Sequence, residues 1–172
     1  MTLLQIPQLT TDRLLLREFR AEDFERYAEM MANPDVSRFL GDGQPLTRVE
    51  AWRQLAIFAG HWVLRGYGLW AVEERATGEF LGRIGCLNPE GFPAFEIAYT
   101  LAPWAWGKGY AREGAAAALR YARETLGRTE IASIIRPANI PSIRVATSLG
   151  AVPGESVEFF GAPSVMYRYP QS

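Results

Sequence analysis

Between Phe95 and Leu126 the chain reads FEIAYTLAPWAWGKGYAREGAAAALRYARETL, a strand, a bend and a helix in succession. Phe95, Ile97, Tyr99 and Leu101 alternate with Glu96, Ala98 and Thr100, the period of a half-buried strand. Pro103 ends that strand because it has no N–H for a ladder. Ala111, Ala115, Ala118, Leu119, Ala122 and Leu126 then repeat at helical spacing, which predicts a helix starting near Tyr110. Trp106-Gly107-Lys108-Gly109-Tyr110-Ala111 lies between the two.

A glycine bend leading into a helix favours anions. The first turn of a helix has amide N–H groups without intrahelical partners and carries partial positive charge. Gly107 and Gly109 let the backbone curl and approach a ligand, Ala111 keeps the helix start slim, and Lys108 and Arg112 add charge. The loop therefore reads as a phosphate or diphosphate cradle. It is not the nucleotide-triphosphate P-loop, since Gly109 and not Ser or Thr follows Lys108, nor the dinucleotide fingerprint, whose last glycine is replaced by Arg112.

Working outward, Leu14 to Phe19 predicts a first strand and Ala21 to Met31 a helix closed by Asn33-Pro34. Thr47 and Glu50 form a capping box for a helix through Leu64, with Trp52, Ala56, Ala59 and Val63 expected on its buried face. Gly41-Asp42-Gly43-Gln44-Pro45 between these helices reads as a flexible turn. Strands at Gly68 to Glu73 and Phe80 to Leu87 precede the central unit. A fifth strand at Glu130 to Arg136, a helix from Asn139 to Leu149 and a hairpin of Val157 to Phe160 with Ser164 to Tyr169 follow it. The expected class is mixed α/β, one domain over residues 1–172.

The 172 residues are 48% hydrophobic and 22% charged, ordinary for a globular domain. Eighteen basic residues nearly balance nineteen acidic ones, which argues against general nucleic-acid binding. Cys86 is the only cysteine and His61 the only histidine, so neither a disulfide nor a metal cluster is expected; Cys86 reads as a small core residue and His61 as surface or packing. No apolar run approaches a membrane span, and MTLLQIPQLTTDR lacks the features of a secretion signal, so a cytoplasmic location is expected.

Trp106 to Ala111 resembles motif A of the GNAT superfamily of acetyl-CoA-dependent N-acetyltransferases, Gln/Arg-x-x-Gly-x-Gly/Ala, with Trp106 where Gln or Arg is usual. Its flanks are similar to the branch of ribosomal-protein N-terminal acetyltransferases, which often read Glu-Ile-x-Tyr-x-Leu before Gly-Lys-Gly-Tyr-Ala. Asn139-Ile140-Pro141-Ser142, followed by Leu149-Gly150, resembles that family's second motif; Val145 stands where many relatives carry a tyrosine general acid. The resemblance covers about Leu9 to Tyr169. It implies a sheet of six or seven strands splayed between the fourth and fifth, with about four helices, acetyl-CoA as cosubstrate and an amine as acceptor.

On that resemblance, Trp106, Gly107, Lys108, Gly109, Tyr110, Ala111 and Arg112 hold the diphosphate. Tyr99, Thr100 and Leu101 offer backbone groups to the pantetheine arm, the Tyr99 N–H polarising the thioester carbonyl. Asn139 and Ser142 are helix-start residues or else contacts to pantetheine and sulfur. Arg136, Arg144 and Lys108 meet phosphates or solvent. Trp104 packs or shapes the acceptor cleft. Glu96, a carboxylate in mid-strand, is either half of an ion pair with Arg83 or a general base for the amine. An α-amine with a pKa near ~8 asks less of a base than a lysine near ~10.4. The acceptor is expected between Phe39 to Thr47, part of the second helix and the Phe160 to Ser164 turn. A protein N-terminus competes with polyamines, amino acids or aminoglycosides as its identity, and an acidic cleft would favour polycations. A non-catalytic acyl-CoA-binding domain and a protein-interaction module are the rival classes. A homodimer through the last hairpin or an open sheet edge is a further expectation.

Overall fold

The computed structural model describes residues 5–171. Met1 to Leu4, part of the segment read above for a secretion signal, and Ser172 lie outside them. One eight-stranded sheet runs in the order β1-β2-β3-β4-β5-β6-β8-β7. The strands are β1 (Leu9–Thr10), β2 (Leu14–Arg17), β3 (Leu69–Glu74), β4 (Phe80–Leu87), β5 (Glu96–Leu101), β6 (Ala132–Ile135), β7 (Val152–Phe159) and β8 (Ala162–Arg168). The helices are α1 (Phe24–Ala32), α2 (Pro34–Ser37), α3 (Arg48–Arg65), α4 (Tyr110–Glu124) and α5 (Ile140–Ser148). None among the described residues is long and apolar enough to cross a membrane.

Every neighbouring pair is antiparallel except β5 and β6, which run parallel and share a single register pair, Glu96 with Ala132. Beyond it the two strands part, as the splayed sheet requires. Two side chains stand in for the missing ladder. Ser133 Oγ donates to the Ile97 carbonyl at 2.6 Å, and Glu96 Oε1 accepts the Ile134 N–H at 3.3 Å.

Each face of the sheet has its own core. Ile84, Cys86, Ile97 and Leu101 meet α4, whose alanine stripe lets the helix lie close. A Cβ at Gly114 would sit 2.5 Å from Ile84 Cδ1, so any larger residue there would have to displace the Ile84 side chain. On the other face α1 and α3 cover Leu69, Ala71, Phe80 and Leu87.

Three details depart from the sequence reading. Pro34 does not simply close α1; Asn33 accepts the Asp35 N–H and Pro34 opens α2, a position suited to its fixed φ. β7 begins at Val152, because a sheet edge tolerates Pro153 and the register shift there absorbs the kink.

The third departure concerns α3. Ala51, Leu55, Phe58 and Trp62 are buried, whereas Trp52 is 53% and Val63 70% exposed, and Ala56 and Ala59 are exposed too. Both stripes have the same spacing, one residue apart. The stripe with Leu55, Phe58 and Trp62 offers more apolar area, and Trp62 Nε1 also finds the Leu69 carbonyl at 2.8 Å.

Candidate active site at the parting of two strands

The bend before α4 has the curled backbone its glycines suggested: φ is +73° at Gly107 and +79° at Gly109, values costly for residues with a Cβ. Gly109 is the N-cap of α4 and supplies no side-chain cap. The first amide after the bend with a backbone partner is Glu113, bonded to the Gly109 carbonyl; those of Gly107 to Arg112 donate to no described residue. Six donors on one bend at a helix start are a nest for an anion.

The bend is braced from the β1–β2 turn. Arg13 donates from Nη1 to the Lys108 carbonyl at 2.9 Å and from Nε to Glu113 at 2.7 Å. Thr11 and the Arg13 amide bond the other Glu113 oxygen at 2.6 and 2.9 Å. Partial burial opposes ionisation of Glu113, but these bonds overcome it and hold its carboxyl below the usual range. Trp106, where a polar residue is usual in the motif, turns its Nε1–H onto the Leu101 carbonyl at 2.8 Å. Arg13, Thr11 and Glu113 carried no signal in the sequence, because their partners lie about a hundred residues away.

Above this bend opens a cavity of about 640 Å³. Its walls include Tyr99, Thr100 and Leu101 from β5, Trp106, Gly107, Gly109, Tyr110, Ala111 and Arg112 from the bend, and Asn139 and Ser142 from α5. Arg38, Arg144 and Val145 line it as well. Lys108 does not: its carbonyl is tied to Arg13, and its ammonium lies 5.9 Å from the Tyr110 ring centroid.

A second cavity of about 250 Å³ adjoins it, sharing Phe39, Leu40, Tyr99, Thr100, Asn139 and Ser142 as walls. Gly41, Gln54, Phe58, Phe92, Phe159, Phe160 and Ser164 complete much of it, with Arg83, Glu96 and Arg136 as its charged residues. Of the stretch Phe39 to Thr47 only Phe39, Leu40 and Gly41 reach the wall. Trp104 lines neither cavity; its Nε1 bonds the Phe80 carbonyl at 2.9 Å and its ring lies under Arg26.

Backbone direction distinguishes the two edges of β5. The Ala102 N–H donates to Leu81 beside β4, so by strand alternation the peptide groups of Tyr99 and Leu101 face the opposite edge, where β6 has departed. The Tyr99 side chain is fixed: its hydroxyl donates to the Ser142 carbonyl at 2.9 Å and accepts from Ser142 Oγ at 3.2 Å. Burial raises that phenol above its ordinary value. Asn139 caps α5, accepting the Ser142 N–H at 3.4 Å.

Glu96 is 9% exposed. Burial pushes its carboxyl up to about 7, while the Ile134 N–H and the positive field of Arg83 pull it part of the way back. The ion pair with Arg83 is not formed: Arg83 lies opposite Thr100, four residues along β5, and belongs to no ion pair of the described residues. Arg136 is not free for phosphate either. Its guanidinium bonds the carbonyls of Arg38 and Gly41, fastening the turn after α2 to β6.

His61 and Cys86 are inert. The ring Nδ1–H of His61 donates to the Tyr67 carbonyl at 2.7 Å and Nε2 accepts the Asn88 N–H at 3.3 Å; burial lowers its pKa. Burial pushes the Cys86 thiol up to about 12.

Residues 13–152 match the acetyltransferase (GNAT) domain family, and the chain belongs to it. It is 32% identical to the Bacillus subtilis (strain 168) protein YkkB over 94% of each chain. It is 31% identical to the FsC-acetyl coenzyme A-N(2)-transacetylase of Aspergillus fumigatus, over 87% of this chain and 67% of that one. Among solved structures, an acetyltransferase from Agrobacterium tumefaciens str. C58 superposes with a TM-score of 0.87 at 32% identity, covering 97% and 96% of the two chains. The ribosomal-protein-S5-alanine acetyltransferase of Vibrio fischeri shares the fold at a TM-score of 0.74 and 17% identity, over 96% and 97%. The protein is an acetyl-CoA-dependent N-acetyltransferase. The unpartnered amides and the open cavity above them fit the anionic, extended cosubstrate such a domain uses.

Proposed function

We propose that the protein acetylates a primary amine that enters the smaller cavity while acetyl-CoA occupies the larger, both bound at once. The observation that carries this reading is the shared wall: the two cavities meet along β5, the start of α5 and the turn after α2, where Tyr99, Thr100, Asn139, Ser142, Phe39 and Leu40 belong to both. Acetyl-CoA supplies the acetyl group as a thioester. The amides of Gly107 to Arg112 hold its diphosphate, and the Tyr99 N–H is the donor for the acetyl oxygen. In direct attack the amine nitrogen bonds the acetyl carbon, the carbon–sulfur bond breaks, and sulfur keeps the electron pair. Glu96, half ionised near neutral pH, takes the proton the nitrogen sheds, directly or through water. Ser142 and Tyr99, already hydrogen-bonded together, lie where a proton returns to sulfur. A thiol with a pKa near ~8.5 leaves without much help, which accommodates Val145 in place of the tyrosine.

For the acceptor, an α-amine or another weakly basic amine suits a base of this strength. Glu96 is the single carboxylate lining the acceptor cavity, against Arg83 and Arg136, so polyamines and aminoglycosides are disfavoured. The test is release of coenzyme A thiol over a panel of amino acids, short peptides, polyamines and aminoglycosides. Turnover with α-amines is the expected result. Coenzyme A binding with no turnover on any amine would overturn the catalytic reading.

A further inference from the structure

The acceptor cavity contains a buried cation that the protein leaves uncompensated. Arg83 is 6% exposed, its Nε is buried without a hydrogen-bond partner, and its guanidinium lies over the Phe58 ring at 4.8 Å. The same fold shows how it treats a structural arginine. Arg17, 3% exposed, is gripped by both oxygens of Asp23 at 2.8 Å each, by Glu73 at 2.6 Å and by the Glu18 carbonyl at 2.9 Å. Nothing comparable surrounds Arg83: its side-chain contact is with the neutral Tyr27 phenol, and no carboxylate of the described residues pairs with it. The other charges on the cavity wall are engaged elsewhere, Arg136 with the carbonyls of Arg38 and Gly41, and Glu96 with the Ile134 amide. A buried guanidinium with no anionic acceptor and an unsatisfied Nε is expensive unless a ligand provides one, and its planar fork matches a carboxylate.

We infer that Arg83 receives a carboxylate of the acceptor, which makes the favoured substrates amino-acid-like amines that carry a carboxylate and an aromatic body. Arg83 and Glu96 lie on one face of the sheet, the first opposite Thr100 and the second at the start of the same strand. An acceptor spanning them presents its carboxylate to the guanidinium and its amine toward Glu96 and the strand edge. Phe39, Phe58, Phe92, Phe159 and Phe160 give the cavity its apolar, aromatic walls. The inference rests on the proposed acetyl transfer for the place of the amine but not for the carboxylate, so binding tests it separately from turnover.

The experiment is calorimetric titration of coenzyme A-loaded protein with N-acetylphenylalanine and N-acetylglycylphenylalanine, each against its C-terminal amide. The acid of at least one pair should bind roughly tenfold or more tightly than its amide, about 1.4 kcal/mol. Arg83→Gln should erase that preference and leave coenzyme A affinity unchanged, while Arg83→Lys should keep part of it. The inference is overturned if both amides bind as well as their acids, if none of the four ligands binds, or if the preference survives in Arg83→Gln. Should the acid preference hold while no amine is ever acetylated, Arg83 keeps its role and the catalytic reading alone falls.

Discussion

The two cavities that meet where β5 leaves β6 are built in opposite ways. The larger has a row of unpartnered backbone amides on one continuous bend, Gly107 to Arg112, beside the cations Arg38, Arg112 and Arg144, and on the proposed reading the amides hold the diphosphate. Side chains from widely separated segments wall the smaller: Phe39, Phe58, Arg83, Glu96, Arg136 and Phe160. A backbone nest recognises a constant chemical group and tolerates substitutions that keep its φ angles. A side-chain box fixes which amine enters and can be re-cut one residue at a time. On the proposed assignment, the cosubstrate is defined at the level of the family, whereas the acceptor is defined by this chain.

Gly109→Val attacks the first cavity alone. It places a β-branched residue at φ +79° and directs a Cβ to within 3.5 Å of Arg13 Nη2. The expected loss in kcat/KM for acetyl-CoA is on the order of 100-fold or more, since strain at this position and displacement of the amides add. Carboxylate-bearing acceptor analogues, titrated calorimetrically without coenzyme A, should bind this variant as they bind the wild type. If acceptor affinity falls equally, the cavities are not independent.

Glu96→Gln strikes the second. With an α-amine acceptor the rate should fall by roughly 100-fold, the low end for a general base, because part of the amine is already neutral. The wild-type pH profile should rise through about 7, where Glu96 ionises, and that limb should vanish in the variant. Acetyl-CoA affinity should not change. Stability moves the other way. Folded Glu96 holds its proton up to about 7 against 4.5 for an ordinary carboxyl, so its contribution to stability declines as pH rises between those values. Glu96→Gln should accordingly melt higher at pH 8, by roughly 10 °C, with no gain at pH 4. A profile unaltered by the substitution removes Glu96 as base.

Arg13→Met tests the brace behind the bend. Losing the bonds to Glu113 and to the Lys108 carbonyl frees the start of α4, and the KM for acetyl-CoA should rise by about tenfold with kcat little changed. Val145→Tyr is the mildest change. It restores a phenol on the wall of the larger cavity, and kcat should shift by less than about threefold, because the thiolate is already an adequate leaving group.

The same contrast explains what the sequence disclosed. The bend was legible because its conformation is local: two glycines, a helix start and no competing cap suffice. Glu96 stood out because a mid-strand carboxylate is costly anywhere, but the Ile134 amide that it accepts belongs to a strand 38 residues away. The buried face of α3 was ambiguous because two apolar stripes one residue apart fit the same period, and only the mass of the opposing core selects one. Arg136, Arg83 and Arg13 were unreadable for a further reason. A long cation takes its role from whichever carbonyl or carboxylate the fold brings near it, and for Arg136 that is the turn at Arg38 and Gly41, almost a hundred residues earlier.

Calorimetry of the wild-type protein with acetyl-CoA, S-acetyl-4′-phosphopantetheine and S-acetylpantetheine isolates the backbone nest from everything else. If the amides of Gly107 to Arg112 carry the binding, affinity should drop on the order of 100-fold when all phosphate is removed, and the single phosphate should restore a large part of it. Equal affinity for acetyl-CoA and S-acetylpantetheine would contradict that assignment.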